Sequence, residues 1–327
     1  MRLFVLVLSF TLAAVLARAE CAGRDLLAGL APDARDALVG DAPFARGLYW
    51  RARRDDAEVV IVGTLHLDDP RMDGLMATLS GDIAASDLVL VEAGPEEEAA
   101  LKAAIAARPD YMFITDGPTL PEMLPEDDWQ ALSDAARARG IPPFLISKFQ
   151  PWYVTMLLSV PACEMRSLAA GQRGLDHRVM AEADHAGVPV KAVEPFDTIL
   201  HLFEALSQDQ KSEMIRATLA QEAVAEDMMA TLREAYFRGE IQLFWEFAVM
   251  QALETAGDDR AATEEAIALF EQEMLIDRNR SWVAPIVDHS AGKRVFVAVG
   301  AAHLPGNGGL LQLLAEQGFT IEAAALP

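Results

Sequence analysis

One pattern is written twice in this chain, near its two ends. The first copy runs VVIVGTLHL from Val59 to Leu67, then GLMATL from Gly74 to Leu79, then LVLVEA from Leu88 to Ala93. The second runs VFVAVGAAHL from Val295 to Leu304, then GLLQLL from Gly309 to Leu314, then FTIEAA from Phe319 to Ala324. Each copy reads as a buried β-branched strand, a Gly-x-x-His-Leu turn, an amphipathic helix and a second strand. A repeated strand–helix–strand unit demands a layered α/β architecture, because its apolar strands need helices to cover them. The spacing is not a solenoid period, so the expectation is two related halves of one mixed central sheet.

The segments between the copies add to this frame. Gly47 to Arg53 alternates as a first strand, and Met72, Leu75, Met76, Leu79 and Ile83 recur at helical spacing. Residues 96–107 and 127–138 read as exposed amphipathic helices, and Phe144 to Ser147 as a short strand. Pro151 opens another helix, since proline suits a first helical turn. A helix over Gly174 to Ala186 is followed by a strand over Val188 to Val193. From Phe196 to about Val287 no strand pattern appears, and Ser207-x-x-Gln210 is a capping box. The reading is one α/β domain over residues 20–327 carrying a large all-helical insertion at about 196–287.

Residues 1–19 stand outside that fold. Arg2 precedes an apolar run from Leu3 to Leu16, and Ala17-Arg18-Ala19 has the small-x-small form of a signal cleavage site. The run is short for a membrane span of about 20 apolar residues. The expectation is therefore a cleaved signal peptide and a periplasmic or secreted protein, with an uncleaved anchor as the alternative. No stable membrane insertion is expected after cleavage. Losing Arg2 and Arg18 takes the formal charge from −23 to −25. Such an acidic surface repels phosphate backbones, so nucleic acid is not expected as a partner. In an oxidising compartment Cys21 and Cys163, the only cysteines, can pair in one way. That bridge would add about 4–5 kcal/mol by loop entropy; two buried thiols are the alternative.

The functional reading follows from the echo. Open α/β sheets place ligands at the carboxyl ends of their strands. Gly63 and Gly300 would permit a sharp exit with unusual dihedrals, and His66 and His303 each stand three residues beyond. On neighbouring strands the two rings would meet. Imidazole is a metal ligand and a general base near neutral pH, and Glu92, ending the run LVLV, is the acid expected beside them. Two structural histidines and a solvated strand-end acid are the bland alternative. His177, His185, His201 and His289 lie in weaker settings. Lys148 and Glu194 are read as strand-end residues that could line the same edge.

These blocks together resemble the TraB/GumN family, which is related to the Tiki proteins. GTLH at 63–66, VEAG at 91–94, GLD at 174–176, DRNRSW at 277–282 and VGAAHLPGNGGLLQLLAEQGF at 299–319 look like that family's motifs. The resemblance covers about residues 43–323, with Ala302 where members often carry Gly. It implies that His66 and His303 are the signature histidines, that Glu92 is the acidic position, and that Arg278 and Asn279 are the Arg-Asn pair. Tiki-like relatives are membrane-associated metal-dependent proteases, and the wider group includes erythromycin-esterase-like and haem- or iron-binding proteins. The function implied is metal-dependent cleavage of peptide or ester bonds, with a peptide or small molecule as substrate. His66, His303 and Glu92 would hold a divalent ion (Mn, Co or Zn). Arg278 would stabilise developing negative charge, or else cap the helix before it. Asn279 would orient a carbonyl or bond backbone. Asp176 reads as an N-cap residue. Gly306 to Gly309 could open an anion-binding helix terminus or form a plain turn. The alternative function is a non-catalytic protein that binds haem, metal or peptide.

Overall fold

The computed structural model describes residues 21–257 and 260–325. The proposed signal peptide at 1–19 lies outside the described residues. Six strands form one sheet: β1 (Tyr49–Arg54), β2 (Ala57–Thr64), β3 (Leu88–Val91), β4 (Val190–Ala192), β5 (Arg294–Gly300) and β6 (Thr320–Ala323). Their order is β4-β3-β5-β2-β1-β6. The pairs β2–β5, β5–β3 and β3–β4 are parallel, whereas β1 is antiparallel to both β2 and β6. The sheet is mixed and the class is α/β, with many helices around it.

The two copies of the echo leave the sheet's centre in opposite directions. The first passes from β2 to β3, stepping over β5. The second passes from β5 to β6, stepping over β2 and β1. Right-handed crossovers that move in opposite directions put their helices on opposite faces. The packing has this form. One core joins Val60, Val62, Val89 and Phe296 to Leu75 and Leu79 of helix Met72–Ala84 and Val179 of helix Leu175–Ala186. The other joins Val59, Ile61, Leu90 and Val297 to Trp282 and Ile286 of helix Asp277–Ser290 and Leu311 of helix Leu310–Glu316. Strand neighbours thus serve opposite cores, and a one-residue slip of β2 would exchange its two faces.

Two helical stretches flank this layer. The region expected at about 196–287 consists of helices joined by short turns, with no strand among its described residues. It includes Thr198–Ala205, Gln208–Ala220, Ala225–Phe237, Ile241–Thr255 and Arg260–Glu271. Ser207 and Gln210 cap the second of these reciprocally, as the capping box predicts. A further helical stretch, from Pro95 to Ala169, has its own core of Leu120, Leu132, Ile146, Val154 and Leu158.

One predicted strand does not form. Residues Pro143–Ile146 make a helical turn, and Lys148 lies on an exposed turn instead of ending a strand. A short apolar run cannot be told apart as strand or helix by periodicity alone. Here Pro143 starts the turn, Phe144 is 77% exposed, and only Ile146 is fully covered.

Cys21 and Cys163 form a disulfide, which ties the start of the described chain to the helical stretch before Ala169. No helix among the described residues is long and apolar enough to cross a membrane.

Candidate active site

Four adjacent parallel strands each deliver a side chain to one edge. β4 ends before Glu194, β3 before Glu92, β5 in the His303 turn, and β2 in the His66 turn. β5 is the centre of this set, and Thr64 of β2 stands in register with Gly300 of β5. A methyl group built on Gly300 would lie 3.1 Å from Glu92 Oε1, 3.5 Å from His303 Cδ2 and 4.0 Å from His66 Nε2. One backbone position therefore touches all three side chains, although 237 residues (303 − 66) separate the histidines.

The turn glycines work differently from the expectation. Gly300 has φ −51° and ψ 135°, and Gly63 is still inside β2 without a positive φ. Neither uses glycine's conformational freedom. Both are needed for close approach: a Cβ on Gly63 would come within 2.9 Å of Ala301 Cα and Cβ. Gly174 is tighter still, since its Cβ would stand 2.0 Å from Leu65 O. It lets the start of helix Leu175–Ala186 press on the His66 turn, where Leu175 N–H donates to Leu65 O at 3.0 Å. Tyr236, fully buried, donates from its hydroxyl to Gly63 O at 2.8 Å.

The first imidazole is held by an acid. His66 Nδ1 donates to Asp176 Oδ2 at 2.8 Å, and Thr64 Oγ1 donates to Asp176 Oδ1. Asp176 is not the cap of its helix; Gly174 occupies that position and no side-chain cap bond forms. The field of Asp176 and then its hydrogen bond push His66 up to about 9, against burial of the inner part of the ring. The outer part is open, with 71% of the side chain exposed, so water screens some of that pull. At neutral pH His66 is an imidazolium whose Nε2–H faces the shared centre. For Asp176, burial acts to raise its carboxyl, but the His66 charge and the bonds from His66 and Thr64 prevail and hold it low.

The second imidazole is held by an amide. Asn279 Nδ2 donates to His303 O at 3.2 Å and to Gly308 O at 3.0 Å. Both amide hydrogens are thereby committed, so Asn279 Oδ1, 2.7 Å from His303 Nδ1, must accept. That fixes the proton of His303 on Nδ1 and leaves a lone pair on Nε2. Arg278 Nη1 donates to this lone pair at 3.3 Å. Only 6% of the His303 side chain is exposed. Burial, together with the nearby positive charges of Arg278 and His66, outweighs Glu92 and pulls the ring down to about 4. His303 is therefore neutral at physiological pH. Trp282 packs beneath it with ring centroids 4.4 Å apart.

Arg278 knits the acids together. Its Nε donates to Glu194 Oε2 at 3.0 Å, and its Nη2 to Glu194 Oε1 at 2.6 Å and Glu92 Oε2 at 2.7 Å. With Nη1 on Met274 O at 3.2 Å and on His303, all five N–H groups are used. The guanidinium has no fork left for a substrate carboxylate. Trp282 Nε1 adds a 2.9 Å bond to Glu194. Burial would raise the Glu92 carboxyl, but the charges around it and the Gly300 N–H bond of 2.6 Å keep it low. Since His303 is neutral above about pH 4, the permanent charge of Arg278 and that of His66 carry this effect at neutral pH. A five-residue π-helical turn, Gln272–Ile276, immediately precedes helix Asp277–Ser290 and sets the direction from which Arg278 and Asn279 enter.

This arrangement and the motifs that build it have a family. The chain belongs to the TraB/PrgY/gumN family. The match to the family's model covers residues 48–323. It spans all six strands and both Gly-x-x-His turns. Comparison with curated proteins gives no match.

Two imidazoles and a carboxylate, donor types that a divalent ion takes, stand at this edge. His66 and His303 each tether Nδ1 to the protein and turn Nε2 toward the shared centre, the tethering that metal-bound imidazoles require. The spacing is wide. Among the described residues, Cys21, Cys163 and Glu164 alone bring three such ligand atoms within 4.8 Å of one another. There the sulfurs are locked in a disulfide. Lys148, by contrast, lies on an exposed turn of the second helical stretch. Residues 306–309 form a turn, with Gly309 N–H bonded to Gly306 O at 3.1 Å, ahead of the seven-residue helix Leu310–Glu316.

Proposed function

We propose that this TraB/PrgY/gumN chain is an exported hydrolase that cleaves a peptide or ester bond at the His66–His303–Glu92 centre. The observation that supports it most is the convergence of two imidazoles held by unlike partners, a carboxylate at His66 and an amide at His303. Environments that drive two titratable groups apart mark an acid and a base. His303, neutral, takes the proton of an attacking water on Nε2 when the long Arg278 Nη1 bond of 3.3 Å yields that lone pair. Glu92 Oε1, 3.9 Å from that nitrogen, offsets the charge that forms there. His66, charged and open to solvent, gives a proton from Nε2 to the leaving group and recovers it as the cycle closes. Asp176 keeps His66 charged, and Asn279 keeps His303 in the one useful tautomer. Arg278, with its donors filled, positions Glu92 and Glu194. As the alternative to this acid–base pair, a divalent ion (Mn, Co or Zn) held by a deprotonated His66, His303 and Glu92 would itself supply an activated water and polarise the carbonyl.

The Cys21–Cys163 bridge supports export, since such links persist in oxidising compartments. The test is an assay of purified protein against mixed peptide and ester substrates, with and without chelator, beside H66A and H303A. Hydrolysis lost to chelator and restored by Mn, Co or Zn would establish the metal. Hydrolysis that survives complete metal removal but not either substitution would establish the bare acid–base pair. No turnover, with Soret absorbance on haem addition, would overturn the hydrolase in favour of a binding protein.

A further inference from the structure

A cavity of about 300 Å³ borders the His303 turn. Ala302, the residue before His303, lines it, and so does Asn279, which sets the His303 tautomer. Its far wall comes from helix Ile241–Thr255 and from the end of helix Arg260–Glu271, which contribute Gln242, Trp245, Glu246 and Glu271. The two glutamates and the Gln242 carbonyl offer lone pairs, and Trp245 offers an indole ring.

Glu246 receives one bond, from Gln242 Nε2 at 2.8 Å, and Glu271 none; neither has a cationic partner among the described residues. Gln242 is 9% exposed, and its Oε1 accepts no hydrogen bond among the described residues. That oxygen faces Gly306, whose absent side chain leaves it uncovered; a Cβ there would lie 2.9 Å away. Trp245 stacks on Phe270 with centroids 6.1 Å apart. Burial, and then the field of Glu246, pushes the Glu271 carboxyl up. Two half-buried acids without counter-ions, a carbonyl oxygen that accepts no protein hydrogen bond and opens into the cavity, and an indole face, all taken among the described residues, together lack a group that is positive and rich in N–H.

We propose that this cavity is a specificity subsite for a cationic substrate group, the guanidinium or ammonium of a basic side chain. The proposal rests on the hydrolase reading above for its role, and on the cavity alone for its binding chemistry. Asn279 links the two, because it lines the subsite and holds His303.

The test uses the full chain and two neutralised amino-acid probes, Nα-acetyl-arginine amide and Nα-acetyl-norleucine amide, titrated calorimetrically. The arginine probe should bind at least about tenfold more tightly, as a desolvated cation with carboxylate and aromatic partners does. That preference should fall with added salt in the unaltered protein. E246Q and E271Q should each reduce it, and the double variant should remove it, with unchanged melting midpoints. Equal binding of the two probes, binding of neither, or a preference that survives in the double variant would overturn the subsite. Peptides carrying arginine or norleucine beside the scissile bond then separate the two readings. Arginine-selective binding without any hydrolysis leaves the cationic cavity standing and removes the hydrolase. Hydrolysis indifferent to arginine leaves the hydrolase and removes the subsite.

Discussion

The turn after β2 and the turn after β5 leave neighbouring strands in register, Thr64 beside Gly300. One imidazole is mostly exposed and leans on a carboxylate; the other is sealed and leans on an amide. A repeated motif thus gives a shared position and direction, while the helix packed behind each turn sets the chemistry. Helix Leu175–Ala186 brings Asp176 to the first ring, and helix Asp277–Ser290 brings Asn279 to the second. Two equal histidines would compete for the same proton. In the proposed hydrolysis, two unequal ones divide the work of acid and base.

The most damaging way to break this difference is to delete either ring. H66A and H303A should each lower the hydrolysis rate by about 10²–10⁴, the usual contribution of a positioned acid or base. Steady-state rates on a common substrate would check this, and a loss confined to one variant would make the other histidine structural. Next in size is the support of the first turn. G174A would force a Cβ to 2.0 Å from Leu65 O, and backbone cannot yield as a flexible side chain does. The expected loss is about 1–3 kcal/mol in denaturant unfolding, together with loss of the His66–Asp176 bond. G81A, where a Cβ meets open space, is the matched control.

How much of this was legible beforehand divides along the same line. The echo carried the sheet, the convergence of the two turns and the acid after β3, because strand periodicity and strand-end position are local properties. The partners of the rings were harder to see. Asp176 reads as a cap because it stands near a helix start, and only the packing of Gly174 against the His66 turn turns it inward. Arg278 reads as a clamp for substrate charge, yet its donors go to Glu92 and Glu194, acids from two other strands. Such long-range pairings leave no periodic trace. The strand expected at 144–147 failed for the opposite reason: a four-residue apolar run contains too little pattern to separate strand from helix.

Exchanging the two partners sharpens the comparison. D176N removes the charge that holds His66 high, so its pKa should fall from about 9 toward its ordinary value. N279D puts a carboxylate against His303 Nδ1 and should raise its pKa from about 4. Each change narrows the gap: D176N should slow hydrolysis about tenfold near pH 8, where His66 is then mostly neutral, and N279D should move the acid limb of the rate profile to higher pH. Imidazole titrations by NMR would follow the gap directly. Activity that is unmoved while the gap closes would separate catalysis from the protonation difference.

The smallest effect expected is on stability against pH, where the two rings act with opposite sign. His66 has its folded pKa raised to about 9. Its contribution is complete below the unfolded value of about 6.5 and is lost as pH rises through 9. His303 has its folded pKa lowered to about 4. Its contribution is complete above about 6.5 and is lost as pH falls through 4. Unfolding of metal-free protein should therefore show two flanks, the alkaline one removed by H66A and the acid one weakened by H303A. Added Mn, Co or Zn would compete with the proton on His66 Nε2, so metal binding should strengthen toward pH 9 and release a proton below it. An alkaline flank that persists in H66A would mean that Asp176 does not hold a charged imidazole, and the two turns would lose the difference that assigns them separate roles.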